Sequence, residues 1–513
     1  MVQLFDLPIS DNTQLVLGAA VCIGLVGVIN WTYFPSSKRG LLPPSPPTWR
    51  LLGHFLPLRY SFLTIAGWID EYGPLITIRS GTKKIIIIGR HKAAVEIMER
   101  QGGLLSDRPR MIAAGEILSG GQSIGFINGD KLRRMRRVLH THLQPKAAEA
   151  YQPLQMSHAK HTVLDILNDP HNFHTHAVTY SAATILKIAY GKNTPTSATD
   201  PEVRDVRHLM KYFRIVLHPG AYLVESIPWL KYLPWYGQDL KQQFKKSREL
   251  YLNQLNHVRQ QLQSDVDAGP SFARYMLEHD HLGYLTETEK AFLAGGLFGA
   301  ASDSTAVAIC TVLIAAACFP EEQAKVQAEI DTVIGRHRAP TFADQQSLPY
   351  LEAFILEAMR WRPLATNVLQ TIHRPKVDLT HWQENYHIPA GTTVYGNHWS
   401  ISRDPEVYPD PDAFKPQRWI NDEGHIRDDL KFFVFGFGRR VCPGLHIANR
   451  SMFINSLLIF WAFQLILDPT KPLDDWSFMN QLIPSDRPCV IDFKTRFPEV
   501  ELRHMMESYP DSG

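Results

Sequence analysis

The chain has 513 residues, 44% of them hydrophobic and 20% charged, with a formal net charge of +2. That length would ordinarily build more than one domain. The composition is that of a globular protein, and near-neutral charge gives no argument for nucleic-acid binding. Five cysteines, Cys22, Cys310, Cys318, Cys442 and Cys489, form no C-x-x-C pair, which speaks against a disulfide framework or zinc site and fits a reducing compartment.

No charged residue falls between Asn12 and Ser37, and the apolar run 15–34 has 20 residues. At about 1.5 Å per residue it covers the roughly 30 Å hydrocarbon core of a bilayer. Asp6 and Asp11 precede it and Lys38 and Arg39 follow it, so the positive-inside rule puts the body in the cytosol. A cleaved signal peptide is the rival, but no Lys or Arg precedes the run and it is long for such a segment. Residues 1–12 are therefore read as a lumenal tail and 13–36 as a transmembrane anchor. Residues 37–49, with Leu41-Leu42-Pro43-Pro44-Ser45-Pro46-Pro47, read as a stiff proline-rich hinge. Residues 50–513 read as one catalytic body.

Within the body, residues 74–89 predict two strands joined near Gly81-Thr82, the second containing Ile85-Ile86-Ile87-Ile88. Residues 91–102 predict a helix, and 104–128 an irregular, glycine-rich loop long enough to be functional. Helical patterns dominate from Lys131. The first holds Lys131-Leu132-Arg133-Arg134-Met135-Arg136-Arg137, basic at five of seven positions, ordinarily a solvated face. Residues 227–235 mix tryptophan, tyrosine and proline, either a packed loop or a membrane-interface segment. A long apolar helix over 290–317 carries Gly299-Ala300-Ala301-Ser302-Asp303-Ser304-Thr305. Glu357 and Arg360, three apart, share one face of a later helix whose Leu- and Phe-rich surroundings point to burial. No P-loop or G-x-G-x-x-G is present, so electrons for redox chemistry must come from another protein.

The strongest pattern is Phe435-Gly436-Phe437-Gly438-Arg439-Arg440-Val441-Cys442-Pro443-Gly444, followed by an apolar helix over 445–463. A lone cysteine after a basic turn is usually structural. Here the glycines can take positive φ and admit a flat macrocycle, nearby positive charge favours thiolate, and Arg440 is spaced to reach a haem propionate. The loop suits an axial ligand to haem iron.

The run matches F-x-x-G-x-R-x-C-x-G at every fixed position, and in this it resembles the cytochrome P450 family. The likeness spans about residues 43–498, and its Gly444-Leu445-His446-Ile447-Ala448-Asn449 ending is similar to fungal secondary-metabolism members. The resemblance implies a mostly helical body with a small β-rich lobe behind one N-terminal transmembrane helix, haem b as cofactor, and Cys442 as the iron ligand. Phe435 and Gly444 would shape the cofactor loop, and Arg136, Arg440 and His373 would meet the propionates. Glu357, Arg360 and Arg418 would form a structural network, and Asp303 with Ser304, or Thr305 in its place, would deliver protons. The chain departs from the family at Ala301 (usually Gly), Ser304 (usually Thr) and Leu132 (usually Trp). The implied activity is monooxygenation of a lipophilic terpenoid, indole or polyketide at the endoplasmic reticulum membrane. O2 and an NADPH-cytochrome reductase would be the co-reactant and partner. Substrate contacts are expected from the mainly apolar stretches 111–127, 297–301, 364–369 and 478–483. A reductase-independent thiolate-haem isomerase and a non-catalytic haem sensor are the other readings.

Overall fold

The computed structural model describes Gly24 and residues 42–510, apart from 49–52, 58–59, 81–82, 219, 265–268, 280–283, 365–371, 382–385, 431–432, 472 and 474–489. The expected anchor, the expected contacts at 365–369 and 478–483, Cys22 and Cys489 lie outside the described residues. The three remaining cysteines are free thiols.

The β lobe begins with helix α1 (Ser61–Tyr72), then β1 (Leu75–Ser80) and β2 (Lys83–Ile88). These pair antiparallel, Leu75 opposite Ile88 and Ser80 opposite Lys83. Two later strands, β3 (Ile372–His373) and β4 (Thr393–Gly396), complete a sheet of order β1-β2-β4-β3, with β4 parallel to β2. The isoleucine run explains the place of β2: Ile86, Ile87 and Ile88 are all buried, as an interior strand covered on both faces requires. The predicted 91–102 helix forms only at its start (His91–Ala94), then widens into π-type turns over Val95–Arg100. Part of the predicted loop 104–128 also coils, over Ile112–Leu118.

The helical body comprises α2 (Gly129–Leu143), α3 (Gln152–Asn168), α4 (Phe173–Tyr190), α5 (Pro201–Val216), α6 (Gln238–Gln263), α7 (Glu287–Cys318), α8 (Pro320–Val333), α9 (Pro349–Trp361) and α10 (Leu445–Ala462), the last running into β5 (Phe463–Leu467), which pairs with β6 (Ile491–Thr495). The central element is α7, packed by α4, α5, α6 and α10. A capping box starts it: the Thr286 hydroxyl accepts from the Glu289 N–H, and the Glu289 carboxylate accepts from the Thr286 N–H. It is long and apolar enough to cross a membrane, but most of that apolar length is buried inside the body.

Glu357 on α9 anchors the segment leading to the Cys442 loop. Its Oε1 accepts from Arg360 Nη2 (2.7 Å), the Lys415 N–H (2.8 Å) and Arg418 Nε (3.2 Å). Its Oε2 accepts from Arg360 Nε (2.8 Å) and Trp419 Nε1 (2.9 Å). Arg360 also donates to the carbonyls of Ser402, Pro411 and Ala413. Burial opposes the Glu357 charge, but Arg360 first, then Arg418 and the Lys415 N–H, hold its carboxyl below the usual range. The triad expected from sequence forms, and the Trp419 indole joins it. Removing one member of a fully compensated buried pair strands the other charge, a loss of about 3–5 kcal/mol. Glu357→Ala should therefore lower unfolding stability by that order in urea melts and reduce the haem-loaded fraction of purified protein.

Candidate active site

The Cys442 loop is a tight, self-bonded turn. The Cys442 N–H donates to the Phe435 carbonyl at 2.8 Å and the Gly436 N–H to the Phe433 carbonyl at 2.8 Å. Gly436 and Gly438 take φ of 85° and 50°. Gly438 is also held from outside, its N–H donating to Glu99 Oε2 at 2.7 Å. A Cβ there would lie 2.8 Å from the Met98 carbonyl oxygen and 2.9 Å from Gly102 Cα, so two glycines meet where the loop docks on the β lobe. Gly444 differs from its two neighbours: at φ −88° it needs no left-handed backbone. Its contribution is an N–H that favours the Cys442 thiolate.

Burial pushes the Cys442 thiol above its ordinary range, while the Gly444 N–H and the Arg136 charge pull the other way. Arg136 on α2 donates to the Val441 carbonyl at 2.8 Å, which sets its charge beside the loop. Arg440 is committed more deeply. It donates to the carbonyls of Ser106 (2.5 Å) and Ile127 (2.7 Å) and to Asn128 Oδ1 (2.7 Å). Burial, then Arg136, brings it down to about 10. Sequence reasoning missed the third member, Arg108. Burial first, then the charges of Arg440 and Arg136, push it well below its usual range. His373 is buried, and its Nδ1 meets the Leu105 carbonyl at 2.8 Å. With the Asp107–Arg374 bridge, it fastens the segment that carries Arg108. An S-D-R-P run before a glycine-rich loop was visible, but nothing in it foretold convergence on Arg440.

Across the core, α7 between its two ends shows one less-buried stripe, Gly296, Leu297, Ala300, Ala301 and Ser304, the residues from 291 to 317 being otherwise buried. Spacing of three and four puts them on one face, and small residues there leave room for a flat ligand. The Ser304 hydroxyl donates to the Ala300 carbonyl at 2.7 Å, so its rotamer is held despite the absent methyl. Thr305 points into the buried core. Asp303 is 3% exposed and pairs with Arg207 Nε of α5 at 2.9 Å. Sequence reasoning missed Arg207 because that contact joins residues 96 apart. Above this space the coil Ile112–Leu118 is tied to residues 225 and 231: Glu225 accepts from the Ala113 N–H at 2.8 Å, and Glu116 pairs with Lys231 at 2.7 Å. Phe126 stacks on Phe213 of α5.

The residues fit a haem on grounds of this structure alone. Three guanidinium groups crowd one buried corner, where two carboxylates would relieve their repulsion. A thiol with N–H and cationic support stands beside them, and a small-residue stripe lines the central helix.

Comparison with known proteins agrees. The family model for Cytochrome P450 matches residues 43–487. The chain belongs to the cytochrome P450 family. It is 45% identical to cytochrome P450 monooxygenase 113 of Postia placenta, over 90% of this chain and 92% of that protein. It is 42% identical to cytochrome P450 monooxygenase 64 of the same fungus, over 95% and 97%. Cytochrome P450 monooxygenase aneD of Aspergillus aculeatus is 32% identical over 87% and 86%. P450 proteins are monooxygenases that bind haem b.

In this P450 the close approach at Gly438 makes a sharp test. Gly438→Ala adds a methyl to a left-handed residue against backbone that cannot yield, a loss of about 1–3 kcal/mol. The thiolate-type absorption of the reduced carbon-monoxide complex, per mole of protein, should fall severalfold.

Proposed function

We propose that this P450 is a single-pass protein of the endoplasmic reticulum membrane with a cytosolic catalytic body. It inserts one oxygen atom from O2 into a lipophilic small molecule of terpenoid, indole or polyketide type, in secondary metabolism. Electrons come from an NADPH-cytochrome reductase. The observation that carries the reading is the pairing of the Cys442 loop and its arginine corner with the small-residue stripe of α7.

Haem, when bound, supplies oxygen activation that consumes two electrons and two protons and leaves one oxygen atom on the substrate and one in water. The chain's own residues do the rest. Cys442 Sγ would hold the haem iron, and the Gly444 N–H and Arg136 moderate its charge. Arg108, Arg136 and Arg440 would hold the cofactor's carboxylates. Glu357, Arg360 and Arg418 keep the loop in place from behind. Ser304 Oγ stands on the open stripe; with its own proton given to the Ala300 carbonyl, it accepts a hydrogen bond and so orients a proton donor on the oxygen side. Asp303, ion-paired with the 32% exposed Arg207, is the acid–base group beside Ser304: as a carboxylate it takes a proton from solvent when that pair opens and hands it on. Apolar neighbours such as Phe126, Phe213 and Leu297 exclude bulk water from the substrate.

The Cys442 loop itself, with Arg136, forms part of the wall of a cavity of about 640 Å3, whose lining also includes the exposed Arg133, Arg137, His140, Lys376 and Arg439. Such a basic hollow suits an acidic reductase surface and would act mainly on association rate. On another face Trp229, Tyr232 and Trp235 are 60%, 76% and 68% exposed, which favours the membrane-interface reading of 227–235 over a packed loop.

Four measurements test this. Cys442→Ala should abolish the thiolate-type carbon-monoxide absorption; persistence of that signal would refute the ligand. With reductase, NADPH and isotopic O2, one labelled oxygen should appear in the product of a lipophile that shifts the haem to high spin. Reductase-independent turnover would overturn the reading. Ser304→Ala should lower product formed per NADPH by about 10-fold or more, while Thr305→Ala stays within about twofold. For the membrane, Trp229 and Trp235 of the full chain in vesicles should be quenched by brominated lipid tails.

A further inference from the structure

The stretches expected to meet substrate are mainly apolar, yet α5 brings two arginines to the space above α7. Arg207 and Arg214 lie seven residues apart, two helical turns, on one face of α5. Contacts give the direction in which the helices cross. Arg207 meets Asp303. Met210, about one turn later on α5, comes within 3.1 Å of where a Cβ on Gly299 would stand, one turn earlier on α7. A further turn along each helix carries Arg214 toward Gly296, where nothing lies within 4 Å of an added Cβ and the open stripe begins.

Arg214 is partly buried, and its Nε is shut off from solvent with no hydrogen-bond partner. Among the described residues its guanidinium makes no hydrogen bond or ion pair. It feels Asp303 and Arg207 together, the first favourably and the second unfavourably. Asp303 carries one charge and faces two guanidiniums, one of which already holds it at 2.9 Å. One positive charge is left over, one residue along α5 from Phe213, which stacks on Phe126. A partly buried donor group without a partner is costly and is best satisfied by an anion. A single surplus charge matches a monoanion; a phosphate dianion would call for a second uncommitted cation.

We infer that Arg214 recognises a carboxylate on the substrate, so that the substrate is a lipophilic monocarboxylic acid held by its acidic end near Gly296. This rests on the monooxygenase reading above and narrows its substrate class. Gly296 and Ser304 are eight residues apart, about 12 Å along a helix, so the oxidised carbon lies remote from the acid.

The test uses the haem-loaded full chain and matched probes, dodecanoic acid and methyl dodecanoate. Binding is read by the low- to high-spin shift and, independently, by equilibrium dialysis. The acid should bind at least 10-fold more tightly than the ester. Arg214→Gln should erase that ratio without changing the ester's affinity, and Arg214→Lys should restore part of it. A merely structural Arg214 would alter melting temperature and both affinities together. Equal binding of acid and ester by the parent chain, binding of neither, or an unchanged ratio in Arg214→Gln overturns the inference. The carbon-monoxide signal, recorded on the same samples, reports separately on the monooxygenase reading, since it depends on Cys442 and not on Arg214.

Discussion

A charged sulfur inside a hydrophobic body is the demand from which most of this structure follows. Burial alone drives Cys442 toward the neutral thiol. Holding it ready for a metal takes an N–H from Gly444, a cation at Arg136, and a loop that cannot relax away. Rigidity comes from two sides. Gly438 is clamped against Met98 and Gly102 of the β lobe. Behind it, the Glu357 carboxylate binds α9 to the 402–419 segment through a saturated set of donors. Each device is local, and together they make the sulfur's position a property of the whole fold.

The same logic of compensated charge divides the molecule. Near the loop, Arg108, Arg136 and Arg440 crowd together, and their surplus charge calls for the cofactor's carboxylates. Across α7 the balance is closer: Asp303 takes Arg207, and Arg214 remains. One corner therefore suits a permanent dianion and the other a transient monoanion. Between them α7 offers glycine, alanine, Leu297 and one oriented hydroxyl, so the polar side chains on that part of the helix are Ser304 and its neighbour Asp303.

Much of the site was legible because its motifs are short-range. The F-x-x-G-x-R-x-C-x-G run, the Glu357/Arg360 spacing and the Asp303-Ser304 pair each lie within one turn or loop, where backbone geometry dictates proximity. The isoleucine run likewise announced a strand, though its interior place in the sheet came from the pairing with β4. What escaped was long-range. Arg108, Arg207, Arg214 and Trp419 have unremarkable local contexts, and their importance arises from where they are brought relative to residues far along the chain. A helix at 91–102 was expected, but its π-type widening over 95–100 and the coil at 112–118 were hidden, since these turns depend on docking against the Cys442 loop and the 225–231 region rather than on helix propensity.

Sequence alone determined the family and the mostly helical class and singled out Cys442 as the proposed iron ligand, because thiolate ligation needs a particular residue in a particular glycine-rich turn. Tertiary structure decided which arginines share a corner, that Ser304 rather than Thr305 faces the open stripe, and that Gly444 works through its N–H instead of a left-handed backbone. Those outcomes depend on how helices rotate and cross when they bury their apolar faces, and on where charge is left uncompensated afterwards. Neither is encoded in any single stretch of chain.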